Sequence, residues 1–394
     1  MQNNKGFNLL SVIIIICVTS IISAITAGII VTNNYGLSYK NITEDSSLSE
    51  FLKTYSNIVD NYYEDIDKDK MLDSAINAML NYLGDNYTTY LNKDQTKELE
   101  ERLAGSYEGI GISILGKTIT NVSKDSPAEK VGLQVGDEFL TVNGTDVSSV
   151  TDGASTIIST LIKSSDNKEA KIVIKRAEEE LEFTVKIESI PISAISYKLL
   201  DNNIGYLKIN IFSRPLTDQV KLALKELENN GMNRLIIDLR DNSGGFLDSA
   251  ETTASIFLEK GKLIYSLEDK KDKEDYYDKT TESKKYPIAV IINNNSASSS
   301  EILAAALKDS YGATLIGEKS FGKGKVQQTI DLSSGAMAKY TSAKWLRPNG
   351  ECIDGVGLIP DYEIQLAYEY DENGNEISTI DTQLNKAIEV IGAM

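Results

Sequence analysis

Histidine is absent from all 394 residues, and no other feature of the sequence excludes more chemistry. Without it no Ser-His-Asp triad, no Cys-His pair and no imidazole metal ligand can be assembled. Any hydrolytic reaction must draw on another base. Cysteine is almost as scarce. Cys17 lies in an apolar N-terminal run and Cys352 near the C-terminus, which argues against a disulfide between them, and Cys352 has no evident base to activate it. Positive charge is in deficit too, with 40 Lys and Arg against 58 Asp and Glu and a formal charge of −18. A phosphate-binding footprint is therefore missing, and nucleic acid is not an expected partner. The GxxxxGK[ST] spacing of a P-loop is absent as well. No metal and no cofactor are expected.

Charge is also lacking from Leu9 to Val31, LLSVIIIICVTSIISAITAGIIV, a run long enough for one helical crossing of a bilayer, which takes about 20 residues. It reads as a retained anchor, because it is long for a signal-peptide core and no small-x-small cleavage pattern follows it. Lys5 precedes the run and the chain turns acidic after it, which favours an inside N-terminus. The expected layout is a cytoplasmic tail over 1–7, an anchor over 8–33 and a catalytic part outside the cytoplasm at the cell membrane.

Residues 34–104 read as a polar linker followed by amphipathic helices. Phe51, Tyr55 and Ile58, then Met71, Ala75, Met79 and Leu83, recur at helical spacing, with a break at Gly84-Asp85-Asn86. Packing or self-association is the expected role of such faces. Over 105–187 the pattern becomes short β-rich runs with turn signals, plus one helix from Asp152 to Lys163 that Asp152 is placed to cap. Gly109-Ile110-Gly111-Ile112, Ser126 to Leu133, Val135-Gly136-Asp137 and Val142-Asn143-Gly144 together resemble a PDZ domain. Its glycines would let backbone N–H groups at Gly109, Ile110, Gly111 and Ile112 converge on a peptide carboxylate while the next strand offers an edge.

Residues 188–370 alternate strands with helices, the signature of an α/β layer architecture. Strands are expected at Gly205–Ile211, Arg234–Leu239 and Ile288–Ile292, and helices at Thr217–Asn229, Asp248–Leu258 and Ser299–Lys308. The charged stretch Glu268–Lys285 reads as a solvated loop or hairpin. A helical tail closes the chain over 371–394.

Two segments carry the candidate chemistry. Asn293-Asn294-Asn295-Ser296-Ala297-Ser298-Ser299-Ser300-Glu301 joins a buried strand to an apolar helix, so a serine there sits on a sharp turn beside helix N–H groups able to steady an oxyanion. Such a run is also what an ordinary capped loop looks like. In Ser320-Phe321-Gly322-Lys323-Gly324-Lys325-Val326-Gln327, two glycines flank one lysine and allow close backbone approach. Burial would lower that lysine's pKa and make it a usable base. A surface or phosphate-binding loop is the plain alternative.

Together the two segments resemble the C-terminal processing peptidases of the tail-specific protease family, serine peptidase family S41, whose motifs are SASASEI and TFGKGxVQ. The resemblance runs from the N-terminal helices through the PDZ-like region to Asp354-Gly355-Val356-Gly357-Leu358-Ile359-Pro360-Asp361. With the charge-free run read as an N-terminal transmembrane helix, it implies a multi-domain α+β chain: that helix, a helical segment, a PDZ-like β-rich domain and an α/β protease core of the ClpP/crotonase-like kind. It implies Ser298 as nucleophile, Lys323 as general base and Gln327 as the group orienting the lysine. The oxyanion donors would be the N–H of Ser299 and of Gly244 or Gly245, with the choice of glycine open. Partners would be protein substrates with accessible C-termini, and a second copy of the chain, joined through the N-terminal helices or the tail.

Three departures from the family pattern stand out. Ser299 replaces an alanine, Ser243 a proline, and Leu83-Gly84-Asp85-Asn86-Tyr87 an LDPYS-like segment. None touches the Ser/Lys pair. The contrasting readings are a catalytically silent PDZ scaffold at the membrane and a crotonase-like acyl-transfer domain.

Overall fold

Ile288–Ile292, an unbroken apolar strand with every residue buried, lies in the interior of a six-stranded sheet. Burial on both faces is what a parallel strand beneath helices requires, and it explains why the segment shows no polar alternation. A computed structural model describes residues 46–165, 167–370 and 376–393. The sheet order is Ile195–Leu200, Ile204–Ile209, Arg234–Asp238, Ile288–Ile292, Thr314–Gly317, Tyr362–Glu363. The first pair is antiparallel and the rest are parallel.

Side chains alternate between the two faces of this sheet. Leu207, Ile237, Val290 and Leu315 pack with the helices Leu216–Asn229, Leu247–Ala254 and Ser299–Ala306. Ile204, Ile236, Ile291 and Ile316 pack with Ala387 and Ile391 of the C-terminal helix Thr382–Gly392. Each such side chain contributes roughly 1.5–3 kcal/mol on burial. The apolar face of the tail is thus used within the chain. A buried charge cluster fastens this helix further: Arg240 donates to Asp238 at 2.6 Å and, through two nitrogens, to Asp381 at 2.8 and 2.9 Å.

A second sheet is built on Met337–Leu346, which pairs with Lys325–Asp331, Thr89–Leu91 and Leu263–Glu268. The charged stretch 268–285 is a hairpin, with Lys273–Tyr277 returning along Leu263–Glu268. The PDZ-like sheet runs Ile112–Leu115, Thr118–Val122, Glu138–Val142, Glu169–Arg176, Glu179–Lys186, around Ile119, Phe139, Ile172 and Ile174.

Several expectations shift. The α+β organisation with a PDZ-like sheet is present. The anchor expected over 8–33 lies outside the described residues, and among the described residues no helix is long and apolar enough to cross a membrane. The helix expected from Asp152 is Ala154–Lys163, and its N-cap is Gly153 at φ 66°, with no side-chain cap, because a left-handed entry suits glycine. The helices expected at Asp248–Leu258 and Ser299–Lys308 end at Ala254 and Ala306, the latter passing into a π-helical turn, Leu307–Tyr311, stopped by Gly312 at φ 95°. Thr89–Leu91 was not expected as a strand: three residues carry no periodic signal, and pairing with Met337–Leu346 is what makes them one.

The chain divides into two compact units, Met1–Ala75 and Ile76–Met394. In the first, the described part is the helix Ser46–Asn61, with Phe51, Leu52 and Ile58 exposed, and the beginning of Lys68–Tyr82. The second holds all the sheets above and the site below.

Candidate active site

Three loops leave the C-terminal ends of the adjacent parallel strands Arg234–Asp238, Ile288–Ile292 and Thr314–Gly317, the edge at which open α/β sheets gather ligands. The first holds Gly244 and Gly245, the second the serine run and the third Lys323.

The serine run is largely a lashing between the first two loops. The Ser296 hydroxyl donates to the Leu239 carbonyl at 2.8 Å, Ser299 to Gly245 at 3.0 Å, and Ser300 to Asn242 at 2.8 Å. Asn293 accepts from the Asp241 N–H at 3.0 Å and donates to its carboxylate at 2.9 Å. Among the described residues the Ser298 hydroxyl alone in this run donates to no protein acceptor. Ser298 has φ 57° and ψ −117°, a left-handed conformation unusual for serine, at the strand-to-helix corner. It is half-buried and faces a cavity of about 880 Å³.

Gly244 and Gly245 line the same cavity. The Gly244 N–H is taken by the Asn242 side chain at 2.9 Å, whereas those of Gly245 and Ser299 have no acceptor among the described residues. A Cβ on Gly244 would lie 2.9 Å from the Ser298 Cβ, and one on Gly245 2.3 Å from the Phe212 carbonyl oxygen.

Lys323 enters by the route its flanking glycines suggest. A Cβ on Gly322 would come within 2.8 Å of the Gly357 nitrogen, and one on Gly324 within 2.6 Å of the Asp354 nitrogen, so only glycines let this loop press against 353–358. Trp345 donates its indole N–H to the Lys323 carbonyl at 2.9 Å. The ammonium faces the Tyr87 ring, 5.2 Å from its centroid, and makes no ion pair or hydrogen bond among the described residues. Burial, followed by repulsion from Lys339, brings its pKa down to about 8, against the pull of Glu301 and Asp85. The Ser298 hydroxyl and the Lys323 ammonium are not hydrogen-bonded to each other here; both face the one cavity.

Gln327 lines that cavity as well, and its amide donates to the Thr341 hydroxyl at 3.4 Å, not to Lys323. Thr341 in turn donates to Asp85, which also accepts from Thr88 at 2.8 Å and from Lys325 at 3.3 Å. Burial works against ionisation of Asp85, but these donors outweigh it and bring the carboxyl down to about 2. The segment that departs at Gly84-Asp85-Asn86 therefore supplies Tyr87 to the cavity wall, while Asp85 braces Thr341 and Lys325 behind it.

Glu301 is a central residue that sequence reasoning did not single out. Fully buried, it accepts from the backbone N–H of Ser298 at 2.8 Å, Gly322 at 2.7 Å and Lys323 at 2.9 Å, and from the Ser320 hydroxyl at 2.5 Å. Ser320 accepts from the Leu358 N–H, so its own proton is free to go to Glu301. Burial raises the Glu301 carboxyl above the usual range, and the four donors counter that. A carboxylate three residues after a serine at a helix start was the available signal, since that is capping-box spacing.

Gly109, Ile110, Gly111 and Ile112 lie away from this cavity, in the PDZ-like domain. Ile110 is buried, its carbonyl accepting from Ala128 at 2.9 Å. Gly111, at φ 85°, packs where a Cβ would strike Ser126 at 2.3 Å. Ile112 opens an edge strand, Ile112–Leu115.

A histidine-free sheet edge that gathers a serine with an unspent hydroxyl proton and a buried lysine in one cavity, on a chain with a PDZ-like domain, has the parts of a serine-type hydrolase. The family models specify it further: residues 203–364 match Peptidase family S41, 118–176 a PDZ domain and 31–95 the activating protease CtpB N-terminal domain. A probable CtpA-like serine protease of Staphylococcus aureus (strain N315) is 34% identical over 358 residues, 89% of this chain and 71% of that protein. The carboxy-terminal processing protease CtpA of Bacillus subtilis (strain 168) is 34% identical over 364 residues, 91% of this chain and 78% of that one. Among solved structures, a photosystem II D1 C-terminal processing protease is 26% identical with a TM-score of 0.48, covering 81% of this chain and 87% of its own. The chain belongs to peptidase family S41 and is a serine peptidase of the C-terminal processing kind.

Proposed function

We propose that this peptidase cuts with a Ser298/Lys323 dyad, on protein substrates whose free C-termini its PDZ domain captures. The observation that carries the reading is that Ser298 alone of the serine run keeps its hydroxyl proton unspent, in the same cavity as a lysine whose burial favours the neutral amine. Neutral Lys323 takes the Ser298 proton as the oxygen attacks the scissile carbonyl. The resulting oxyanion lies against the N–H groups of Ser299 and Gly245, each worth about 3–4 kcal/mol in comparable hydrolases. The tetrahedral intermediate collapses, the C–N bond breaks, and the leaving amine takes the proton from Lys323. Water, deprotonated by the now neutral Lys323, attacks the acyl-enzyme carbonyl; the ester C–O bond breaks, and Lys323 returns the proton to the Ser298 oxygen. Gln327 acts in this scheme by fixing Thr341, which in turn is bonded to Asp85.

Capture of a C-terminus is supported by the Ile112–Leu115 edge and by the N–H groups of Ile110 and Gly111, which have no acceptor among the described residues. In the same reading, 8–33 anchors the chain in the cell membrane with the catalytic part outside the cytoplasm, on the strength of its charge-free run. Incubation of the full chain with an unfolded protein tests the chemistry. Peptides should appear with the native enzyme and not with Ser298→Ala or Lys323→Ala; full activity in either variant overturns the assignment.

A further inference from the structure

Lys339 is a second lysine in the catalytic cavity, and the mechanism above gives it no chemical step. It lies on Met337–Leu346 opposite Thr329 of Lys325–Asp331, and Thr329 lines the cavity too. Its ammonium is half-buried and makes no ion pair or hydrogen bond among the described residues. The surroundings make this notable. The chain carries 58 acidic residues, and the neighbouring Lys325 has Asp85 and Asp354 at 3.3 and 3.9 Å. Two acids line the cavity: Asp241 is engaged by the Asn293 and Asn295 amides at 2.9 Å, and Asp248, in the first turn of Leu247–Ala254, forms no ion pair with Lys339 among the described residues. A desolvated cation left without a counter-charge costs free energy unless an anion joins it.

We propose that Lys339, with Thr329 beside it, is a carboxylate-binding subsite for the peptide substrate. The placement follows from the strand. Thr341, bonded to Gln327, and Lys339 share one face two residues apart, so the subsite lies about 7 Å along the strand from the level of Gln327. That distance matches about two residues of an extended substrate chain. Burial lowers the Lys339 pKa, and an arriving carboxylate reverses that cost. The ligand is a carboxylate either on an Asp or Glu side chain or at the substrate's C-terminus.

The proposal rests on the reading of this cavity as the peptide-cleaving site, and binding separates the two. In the full chain carrying Ser298→Ala, fluorescence anisotropy is measured with C-terminally amidated peptides, which the PDZ domain cannot hold by a carboxylate. One Glu, or Gln as control, is walked along the peptide. A Glu-over-Gln preference of at least tenfold at one position is expected, falling to about one with Lys339→Met, inverting with Lys339→Glu and persisting with Lys339→Arg. Glu-free peptides with a free C-terminus form the second arm; a Lys339-dependent gain there alone assigns the subsite to the chain terminus. No preference in either arm, or a preference that survives Lys339→Met, overturns the proposal. Thermal unfolding of each variant verifies the fold, and Lys339→Gln replaces Lys339→Met should the latter not fold. Continued cleavage by the Ser298→Ala chain would instead sink the dyad and leave the binding comparison readable.

Discussion

A single oxygen of Glu301 accepts from the backbone N–H of Ser298 at 2.8 Å and from that of Lys323 at 2.9 Å, so one buried carboxylate ties together the two loops that carry the proposed dyad. All four of its partners are donors. In Glu301→Gln the amide nitrogen would face two of them, breaking two hydrogen bonds in a dry site. We expect kcat to fall about 100-fold with a loss of roughly 2–3 kcal/mol in stability. Peptide hydrolysis and denaturant titration report the two effects. A wild-type kcat would show that the spacing is held by other means.

The serines should separate cleanly. Ser298→Ala removes the attacking oxygen and should lower kcat at least 1000-fold with little change in Tm. Ser300→Ala and Ser296→Ala break loop-to-loop hydrogen bonds to Asn242 and Leu239, each worth about 1 kcal/mol, and should lower Tm while leaving catalysis measurable. Reaction with a fluorophosphonate probe followed by peptide mass mapping checks the assignment; a label on Ser299 or Ser300 would contradict it.

The pH dependence follows from Lys323. Catalysis needs its neutral form, so kcat/KM should rise tenfold per pH unit and level off near a pKa of about 8. Lys339 repels the Lys323 ammonium, while Glu301 and Asp85 stabilise it and Lys325 is neutralised by Asp85. Lys339→Met should therefore move the rising limb to higher pH. The same shift has a stability consequence of opposite sense. A lysine depressed on folding binds its proton more tightly when unfolded, so its cost is fully present below about pH 8 and vanishes as pH rises past the unfolded value near 10.5. Lys323→Met should accordingly stabilise the fold at pH 7, by about 1–3 kcal/mol, while abolishing cleavage. Calorimetry at pH 7 and pH 10 checks the sign.

Much of this site was legible because the chemistry is written in local patterns. The absence of histidine, the strand-to-helix corner at Ser298 and the glycines around Lys323 are all properties of short segments. What was not legible depends on contacts between distant segments. Tyr87 joins the cavity only because Thr89–Leu91 pairs with Met337–Leu346, and Lys339 enters it only through that strand's register with Lys325–Asp331. Glu301 drew no attention at the start of its helix. Its other three hydrogen bonds reach 19 to 22 residues ahead, to Ser320, Gly322 and Lys323. That the Asn242 side chain occupies the N–H of Gly244 and not that of Gly245 is likewise a contact no local pattern announces.

That choice leads to a pair of substitutions with different outcomes. At Gly245 an added Cβ would lie 2.3 Å from the Phe212 carbonyl oxygen, which belongs to rigid backbone bridged to this turn. The main chain must move, so Gly245→Ala should cost about 2–4 kcal/mol and lower Tm. At Gly244 the nearest atoms are the Ala297 oxygen and the Ser298 Cβ, both at 2.9 Å, in the loop that presents the nucleophile. The added methyl pushes that corner, and φ of 102° strains any alanine placed there. Gly244→Ala should therefore displace Ser298 and lower kcat by about 100-fold, with KM changed far less because the rest of the cavity wall stays in place. Steady-state kinetics beside thermal unfolding separates the two. Equal loss of Tm in both variants, with kcat of the surviving Gly244→Ala enzyme at the wild-type level, would show that Gly244 is a turn residue with no hold on the nucleophile.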